Sequence, residues 1–198
     1  MRKLVKWTIY GIIYILVLPF GLLSLLWYKI FGSQAIYYCC AETFSLLPVH
    51  LGILVRCAFY NQTLKEAHHD LVVLFGGYLS KMESRIGRKV IIAGHATIGL
   101  VDIRDYAAIG NNTNILSGRH HHNFEETSQE VFSGEDRFAV IKVGQHAFIG
   151  DNSVIMAHIG DYSIIGAGSV VVKEIPDYVI AVGNPAKAVK ERPRNGKQ

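Results

Sequence analysis

Three consecutive imidazoles, His120, His121 and His122, stand between Arg119 and Asn123 in a polar stretch of the chain. Imidazole is the side chain whose ordinary proton affinity lies nearest neutral pH. A histidine so placed can take the proton of a hydroxyl as its oxygen attacks an activated carbonyl, a step that typically contributes about 10²–10⁴-fold to rate. Backbone amides can receive the developing oxyanion, so such chemistry needs no covalent enzyme nucleophile. In an extended segment alternate side chains face opposite sides, which groups His120 with His122 and sends His121 elsewhere. Asp102, 18 residues before His120, is a candidate to orient the imidazole, with Glu125 and Glu126 as competitors. His95 reads as a solvent-facing corner residue, and His68-His69 as a solvated pair.

The elements that must position these residues announce themselves as a beat of about six. Aliphatic side chains recur at Ile86, Ile92, Ile98, Ile103, Ile109 and Ile115, and again at Val143, Ile149, Ile155, Ile159, Ile165 and Val171. Repetition at a short fixed period means one unit stacked on itself, since a single turn cannot bury its apolar side alone. Each unit reads as a short strand and a corner, three units to a coil, with glycine or asparagine expected to take the corner. The fold class expected is mainly β: a parallel β-helix of hexapeptide repeats. Ordinary antiparallel strands would not explain the spacing. The beat lapses for 27 residues, from Leu116 to Lys142, and the histidine run lies in that excursion. An interruption longer than about 12–15 residues in a compact repeat is uncommon and often functional. A four-residue step from Ile155 to Ile159 tightens one corner beside His158.

Ahead of the repeats, 22 residues from Trp7 to Tyr28 carry no formal charge. As a helix that run is about 33 Å long, enough to cross a bilayer. Arg2, Lys3 and Lys6 precede it, which favours a cytoplasmic N-terminus, and Trp7, Trp27 and Tyr28 sit where interfacial aromatics would. A second apolar stretch, Ala35 to Val55, is interrupted by Glu42, Pro48 and His50 and closed by Arg56. Pro19 and Gly21 invite a kink, so two spans and two re-entrant hairpins are both open, and both leave the repeats facing the cytoplasm. The division expected is 1–60 helical and membrane-inserted, 61–85 a connector, 86–176 the β-helix with its excursion at 116–142, and 177–198 a C-terminal segment with a basic tail. A net charge of +4 without a long basic run points away from nucleic acid. Cys39, Cys40 and Cys57, odd in number and without metal-type spacing, read as reduced apolar fillers.

The ending Ile164-Ile165-Gly166-Ala167-Gly168-Ser169-Val170-Val171, then Ile175-Pro176 and Gly183-Asn184-Pro185-Ala186-Lys187, together with the beat and the histidine excursion, resembles the left-handed β-helix acyltransferases. Within them the chain looks most like membrane-associated acetyltransferases of exopolysaccharide and colanic-acid-type synthesis; residues 52–64 add to that likeness. The resemblance implies acetyl-CoA as acyl donor and a homotrimer with active sites between neighbouring prisms. It implies that the Gly166, Ala167, Gly168 and Ser169 backbone meets pantetheine, with Asn184, Pro185, Lys187 and Lys190 near the nucleotide and Arg192 a further phosphate partner. His146 and His158 become candidates to line the donor cleft, and Phe148 stands where relatives often carry tryptophan. The family's Ser-Gly-x-His pattern, here Ser117-Gly118-Arg119-His120, singles out His120 as base, with His122 as the runner-up.

The activity implied is O-acetylation of a saccharide hydroxyl at the cytoplasmic face of the inner membrane, the acceptor being a lipid-linked precursor of surface polysaccharide. A soluble sugar, serine-like or antibiotic acceptor is the alternative. Ile109 to Ile115 also resembles the run before the first zinc histidine of γ-carbonic anhydrases, with His122 aligned to that ligand. The other two ligand positions hold Asp151 and Met156, and a thioether does not make an ordinary zinc site, so no metal is expected. A non-catalytic trimeric scaffold would leave the histidine excursion and the Gly-Asn-Pro-Ala-Lys ending without purpose.

Overall fold

The computed structural model describes residues 2–117 and 138–194, with side chains from Trp7 onward. Three helices lead: α1 (Arg2–Phe31), α2 (Ala35–Ser45) and α3 (Val49–Thr63). Helix α1 stops at Gly32, whose φ of 66° takes the chain out of the helix while its N–H still bonds Tyr28 O. Pro48 separates α2 from α3.

Six coils follow. The first contributes β1 (Val72–Val73) and β2 (Tyr78–Leu79); the second β3 (Arg85–Ile86), β4 (Ile91–Ile92) and β5 (Thr97–Ile98); the third β6 (Val101–Ile103), β7 (Ala108–Ile109) and β8 (Asn114–Ile115). The fourth contributes β9 (Ile141–Val143), β10 (Phe148–Ile149) and β11 (Val154–Ile155), and the fifth β12 (Ile164–Ile165) and β13 (Val170–Val171). The sixth has β14 (Val179–Val182), after which β15 (Lys187–Glu191) turns back antiparallel against it. Strands of successive coils pair in parallel, making a prism with three faces. Glu66 and Val72 to Leu79 already belong to the ladder, so most of the stretch expected as a connector is one more coil. The pattern there hides because Leu71, Val73 and Leu79 are spaced less regularly than the later isoleucines.

Every aliphatic residue of the six-residue beat is buried in the prism, from Ile86 to Val171. The small residues between them, among them Ala96, Ala107, Thr113, Ala147, Ser153 and Ser163, are buried too, because little room is left where three faces converge.

Outward residues differ sharply by face. On the sheet β3-β6-β9 the row reads Glu66, Arg85, Asp102, Lys142, alternating in sign and paired directly across strands. On the sheet β1-β4-β7-β10-β12-β14 the row reads Val72, Ile91, Ala108, Phe148, Ile164, Ile180, apolar throughout and in register. The third face, β13-β11-β8-β5-β2, presents Tyr78, Thr97, Asn114, Val154 and Val170.

The corners follow the repeat only in part: Asn112, Asn152, Gly76 and Gly168 hold left-handed backbone there, as expected. Glycines after the aliphatic position are there for close approach: a Cβ on Gly110 would lie 2.6 Å from the Asp151 nitrogen, and one on Gly87 2.7 Å from that of Asp105. The left-handed positions fall two residues later, on Lys89, Tyr106, His146, Tyr162 and Tyr178 at one edge and on His95, Asn112 and Asn152 at another. Side-chain oxygens help fix these turns, as where Asp161 Oδ1 accepts from the Gln145 N–H at 2.9 Å and Asp177 Oδ1 from that of Asp161 at 2.7 Å. Rings supply the rest. Tyr106, His146, Tyr162 and Tyr178 stack with centroids 4.8, 4.8 and 4.9 Å apart, capped by the Lys89 ammonium over Tyr106 and the Arg194 guanidinium over Tyr178. Each such ring pair adds about 0.5–1.5 kcal/mol beyond area burial. His146→Ala removes two of them and is expected to cost about 1–2 kcal/mol in chemical denaturation, with folding retained.

The helices cap the prism. Tyr37, Phe59 and Tyr60 are buried, Tyr37 stacking on Phe59 at 5.5 Å, and the Tyr60 hydroxyl accepts the Leu79 N–H at 3.1 Å. Glu83 ties α1 down: it accepts from the Tyr28 hydroxyl at 2.7 Å and from Gln34 Nε2 at 2.8 Å. Partial burial raises the Glu83 carboxyl, but the Tyr28 and Gln34 bonds outweigh that and leave it below the ordinary carboxylate value. A depressed folded pKa means that this tether is complete above the unfolded value of about 4.3 and is lost as pH falls through the folded one. Acid below that point is expected to loosen the C-terminal end of α1, read by Trp27 fluorescence, and Glu83→Gln to remove the pH dependence.

Candidate functional site

A cavity of about 700 Å³ lies between α2 and the third face. Its size falls within the range of small-molecule sites. Tyr38, Cys39 and Glu42 on α2 form one wall, Thr97, Gly99 and Ile115 the floor, and Tyr78, Ser80 and Lys81 the end nearest the first coil. Tyr38 and Tyr78 cross edge to face, with their hydroxyl oxygens 3.3 Å apart. That hydrogen bond, with some burial, raises the Tyr38 phenol and keeps it neutral. The Lys81 ammonium stands 3.6 Å over the Phe138 ring. The lining offers hydroxyl, amide, ammonium and carboxylate groups on an apolar bed, which suits a polar ligand with several hydroxyls.

Both roots of the excursion open onto this cleft. The chain leaves the third coil at Leu116 and Ser117 and is back at Phe138, and all three line the cavity. The Ala139 N–H donates to Ser117 O at 2.8 Å, closing the neck, and Ser117 Oγ accepts the Leu100 N–H at 2.8 Å, fixing the neck to the coil. Ser117 is buried as a result.

A maltose O-acetyltransferase from Clostridium difficile 630 superposes with a TM-score of 0.71 at 22% identity, over 80% of this chain and 86% of that one. This chain has the fold of the hexapeptide-repeat acetyltransferases. A hexapeptide-repeat-containing acetyltransferase from Vibrio cholerae O1 biovar eltor, solved in complex with acetyl coenzyme A, gives 0.67 at 18% identity over 83% of this chain and 92% of that one. No protein-family model and no curated protein sequence matches.

On that fold the sequence-predicted residues scatter. His120 and His122 lie outside the described residues. Asp102 is on the charged face between Arg85 and Lys142, not on the cleft wall; it lines a smaller cavity of about 390 Å³ with Val140 and Lys142, beyond the neck. His158 sits at the same prism edge as the neck, one coil on, its Nδ1 accepting the Lys142 N–H at 3.1 Å. His146 is at a different edge, inside the ring stack. Gly166 to Ser169 and Asn184 to Lys187 do come together at the third edge: Ser169 Oγ accepts the Gly183 N–H at 3.1 Å and Val170 O accepts that of Ala186 at 2.8 Å. The N–H groups of Gly166 and Gly168 are already given to Ala181 O and Asp151 O, which leaves a ligand fewer donors there than the sequence suggested. Phe148, 47% exposed, projects from the apolar face beside that edge, and Lys187 and Lys190 lie exposed on β15.

The cleft wall itself was missed. Tyr38, Glu42 and Lys81 sit in segments read as membrane and connector, and the one hint was Glu42, a carboxylate in an otherwise apolar stretch.

Proposed function

We propose that the protein is an acetyl-CoA-dependent O-acetyltransferase of a saccharide hydroxyl, working by direct transfer with a histidine base. The observation that carries this reading is the placement of the excursion's neck at the mouth of the cleft, on a fold otherwise matched by a sugar acetyltransferase. His120 is three residues beyond Ser117 in the sequence. The cleft takes the acceptor; acetyl-CoA lies along the edge formed by Gly166 to Ser169 and Asn184 to Lys187, with Lys187 and Lys190 toward the phosphates. The acetyl-coenzyme A complex of the Vibrio cholerae protein supports the choice of donor. In this reading the prism winds left-handed, as the family resemblance implies.

The functional unit in this reading is a homotrimer. The apolar row from Val72 to Ile180 would be an unusual surface in water, with Ile91 46% exposed, and it borders the donor edge, so a neighbouring prism seated there would complete the donor site. Ile91→Asp, which leaves the inward core untouched, is expected to convert trimer to monomer in light scattering and to weaken acetyl-CoA binding with it.

The acceptor proposed is a lipid-linked precursor of surface polysaccharide at the cytoplasmic face, because α1 exposes an apolar surface and confinement to one membrane raises effective concentration. Radiolabelled acetyl-CoA incubated with the full-length protein and lipid-linked oligosaccharides should put label in the lipid fraction. Label only on free sugars would move the acceptor into solution; none on either would leave the scaffold reading.

A further inference from the structure

Helix α1 contains the one segment among the described residues long and apolar enough to cross a membrane, Trp7–Phe31. Its contacts fit a different posture. Near its start, the Trp7 ring lies 4.9 Å from that of His69. Along its length Tyr14 O accepts from Gln62 Nε2 at 3.0 Å, Gly21 gives way to the Gln62 side chain, and Phe20 meets Phe44 at 5.5 Å. Near its end the Tyr28 hydroxyl bonds Glu83. The buried residues Ile13, Val17, Gly21 and Ser24 form one narrow seam against α2 and α3.

From Trp7 to Tyr28 the helix rises about 32 Å, the thickness of a bilayer's hydrocarbon. A spanning α1 would therefore put His69 and Glu83 on opposite sides of the membrane. Both belong to the first coil, whose strands β1 and β2 pair with β4 and β5 of the second. A coil of short strands cannot be threaded through lipid, where open backbone groups find no partner. The other helices, of 11 and 15 residues, are too short to span.

Away from the seam, α1 is apolar and exposed at Ile12, Ile15, Leu16, Leu22, Leu23 and Leu26, and its first turn holds no acidic residue. Arg2, Lys3 and Lys6 at one end and Lys29 at the other match anionic headgroups at both ends rather than one. We propose that α1 lies in the plane of a single anionic leaflet, with both of its ends and the prism on the same side of the membrane. The cleft, bounded by α2 beside α1, then opens close to the headgroups, where the sugar of a lipid-linked acceptor would be. The posture of α1 does not rest on the catalytic reading.

Site-specific labelling tests it. Arg2→Cys, Ser33→Cys and, as a reporter of the prism, Lys173→Cys are each placed in full-length protein carrying Cys39→Ser and Cys40→Ser, with Cys57 buried. In sealed phosphatidylglycerol-containing vesicles, a membrane-impermeant maleimide should label Arg2→Cys and Ser33→Cys to the same extent as Lys173→Cys, and detergent should raise all three equally. If one end of α1 labels with the prism and the other only after detergent, α1 spans and the proposal fails. If the protein does not float with the vesicles but stays in solution as a larger assembly, a second copy covers α1 and the proposal also fails. Acetyl transfer is not read in this experiment, so failure of the enzyme proposal leaves its outcome untouched.

Discussion

Replacing His120 by alanine is expected to lower acetyl transfer about 10²–10⁴-fold while leaving the fold and acetyl-CoA binding in place. A sugar hydroxyl attacks a thioester only if its proton leaves as the bond forms, and a neutral imidazole is the side chain suited to take it near pH 7. The loss should fall on kcat, with KM for acetyl-CoA unchanged, because in the mechanism proposed the base would touch the acceptor oxygen and not the donor. In the wild type kcat/KM should rise with pH through the base's titration, from protonated and idle below its pKa to neutral and competent above it. His122→Ala should cost much less. A larger loss for His122→Ala would transfer the role to His122, and no loss for either would end the histidine mechanism. Circular dichroism distinguishes lost chemistry from lost folding. The histidines are tethered to a neck that the prism already fixes through Ser117, Leu100 and Ala139, so the substitution leaves the structure of the coils alone.

The prism was legible because its physics is repetitive. One aliphatic residue per unit must point inward, and all of them from Ile86 to Val171 do. The length of the prism was less legible, since the first coil carries Leu71, Val73 and Leu79 on a weaker rhythm and begins directly after α3. The corners were legible in part. Asparagine or glycine was expected to hold positive φ, and Asn112, Asn152, Gly76 and Gly168 do so at one edge, whereas at another edge stacked rings hold that conformation, and the glycines after the aliphatic positions serve the close approach of neighbouring coils. Spacing does separate some edges: His146 and His158 are 12 residues apart, two corners of one coil, so they stand at different edges. The cleft depends on α2 lying beside β2, a contact between segments 40 residues apart that no local pattern encodes.

The helical segment is also the cap of the prism. Removing residues 1–60 would strip Tyr37, Phe59 and Tyr60 from the cap of the first coil, so dependence on a lipid acceptor has to be tested with the full-length chain.

Arg56→Ala is expected to be the most destabilising substitution in that cap, at about 3–5 kcal/mol, the cost of a large buried cavity together with carbonyls left unpaired. In the sequence this arginine looks like the charge that closes an apolar stretch; in the fold it is 1% exposed. Its Nε donates to Val73 O at 2.8 Å, and one terminal nitrogen to Phe44 O, Ser45 O and Leu47 O at 2.8, 3.2 and 2.9 Å. No carboxylate is among these partners. The charge is met by carbonyl dipoles at the C-terminal end of α2, where a helix is negative and its last carbonyls lack internal partners. Gly52 makes this possible, because a Cβ there would lie 2.8 Å from the same terminal nitrogen and would also run into Leu47 O. Burial lowers the guanidinium's proton affinity, yet arginine stays charged in proteins. Alanine would leave both a cavity and unpaired carbonyls. Methionine fills the volume and removes the buried charge, so it should recover part of the loss, while lysine keeps the charge but lacks the planar fork that reaches Val73 and α2 at once. The expected order of stability in urea is wild type, then Arg56→Lys and Arg56→Met, then Arg56→Ala. Wild-type stability for Arg56→Met would mean that water can satisfy those carbonyls and that the charge contributes nothing net. The stability of α2 matters to function because Tyr38 and Glu42 stand on it: a loosened α2 should weaken acceptor binding while leaving affinity for acetyl-CoA unchanged.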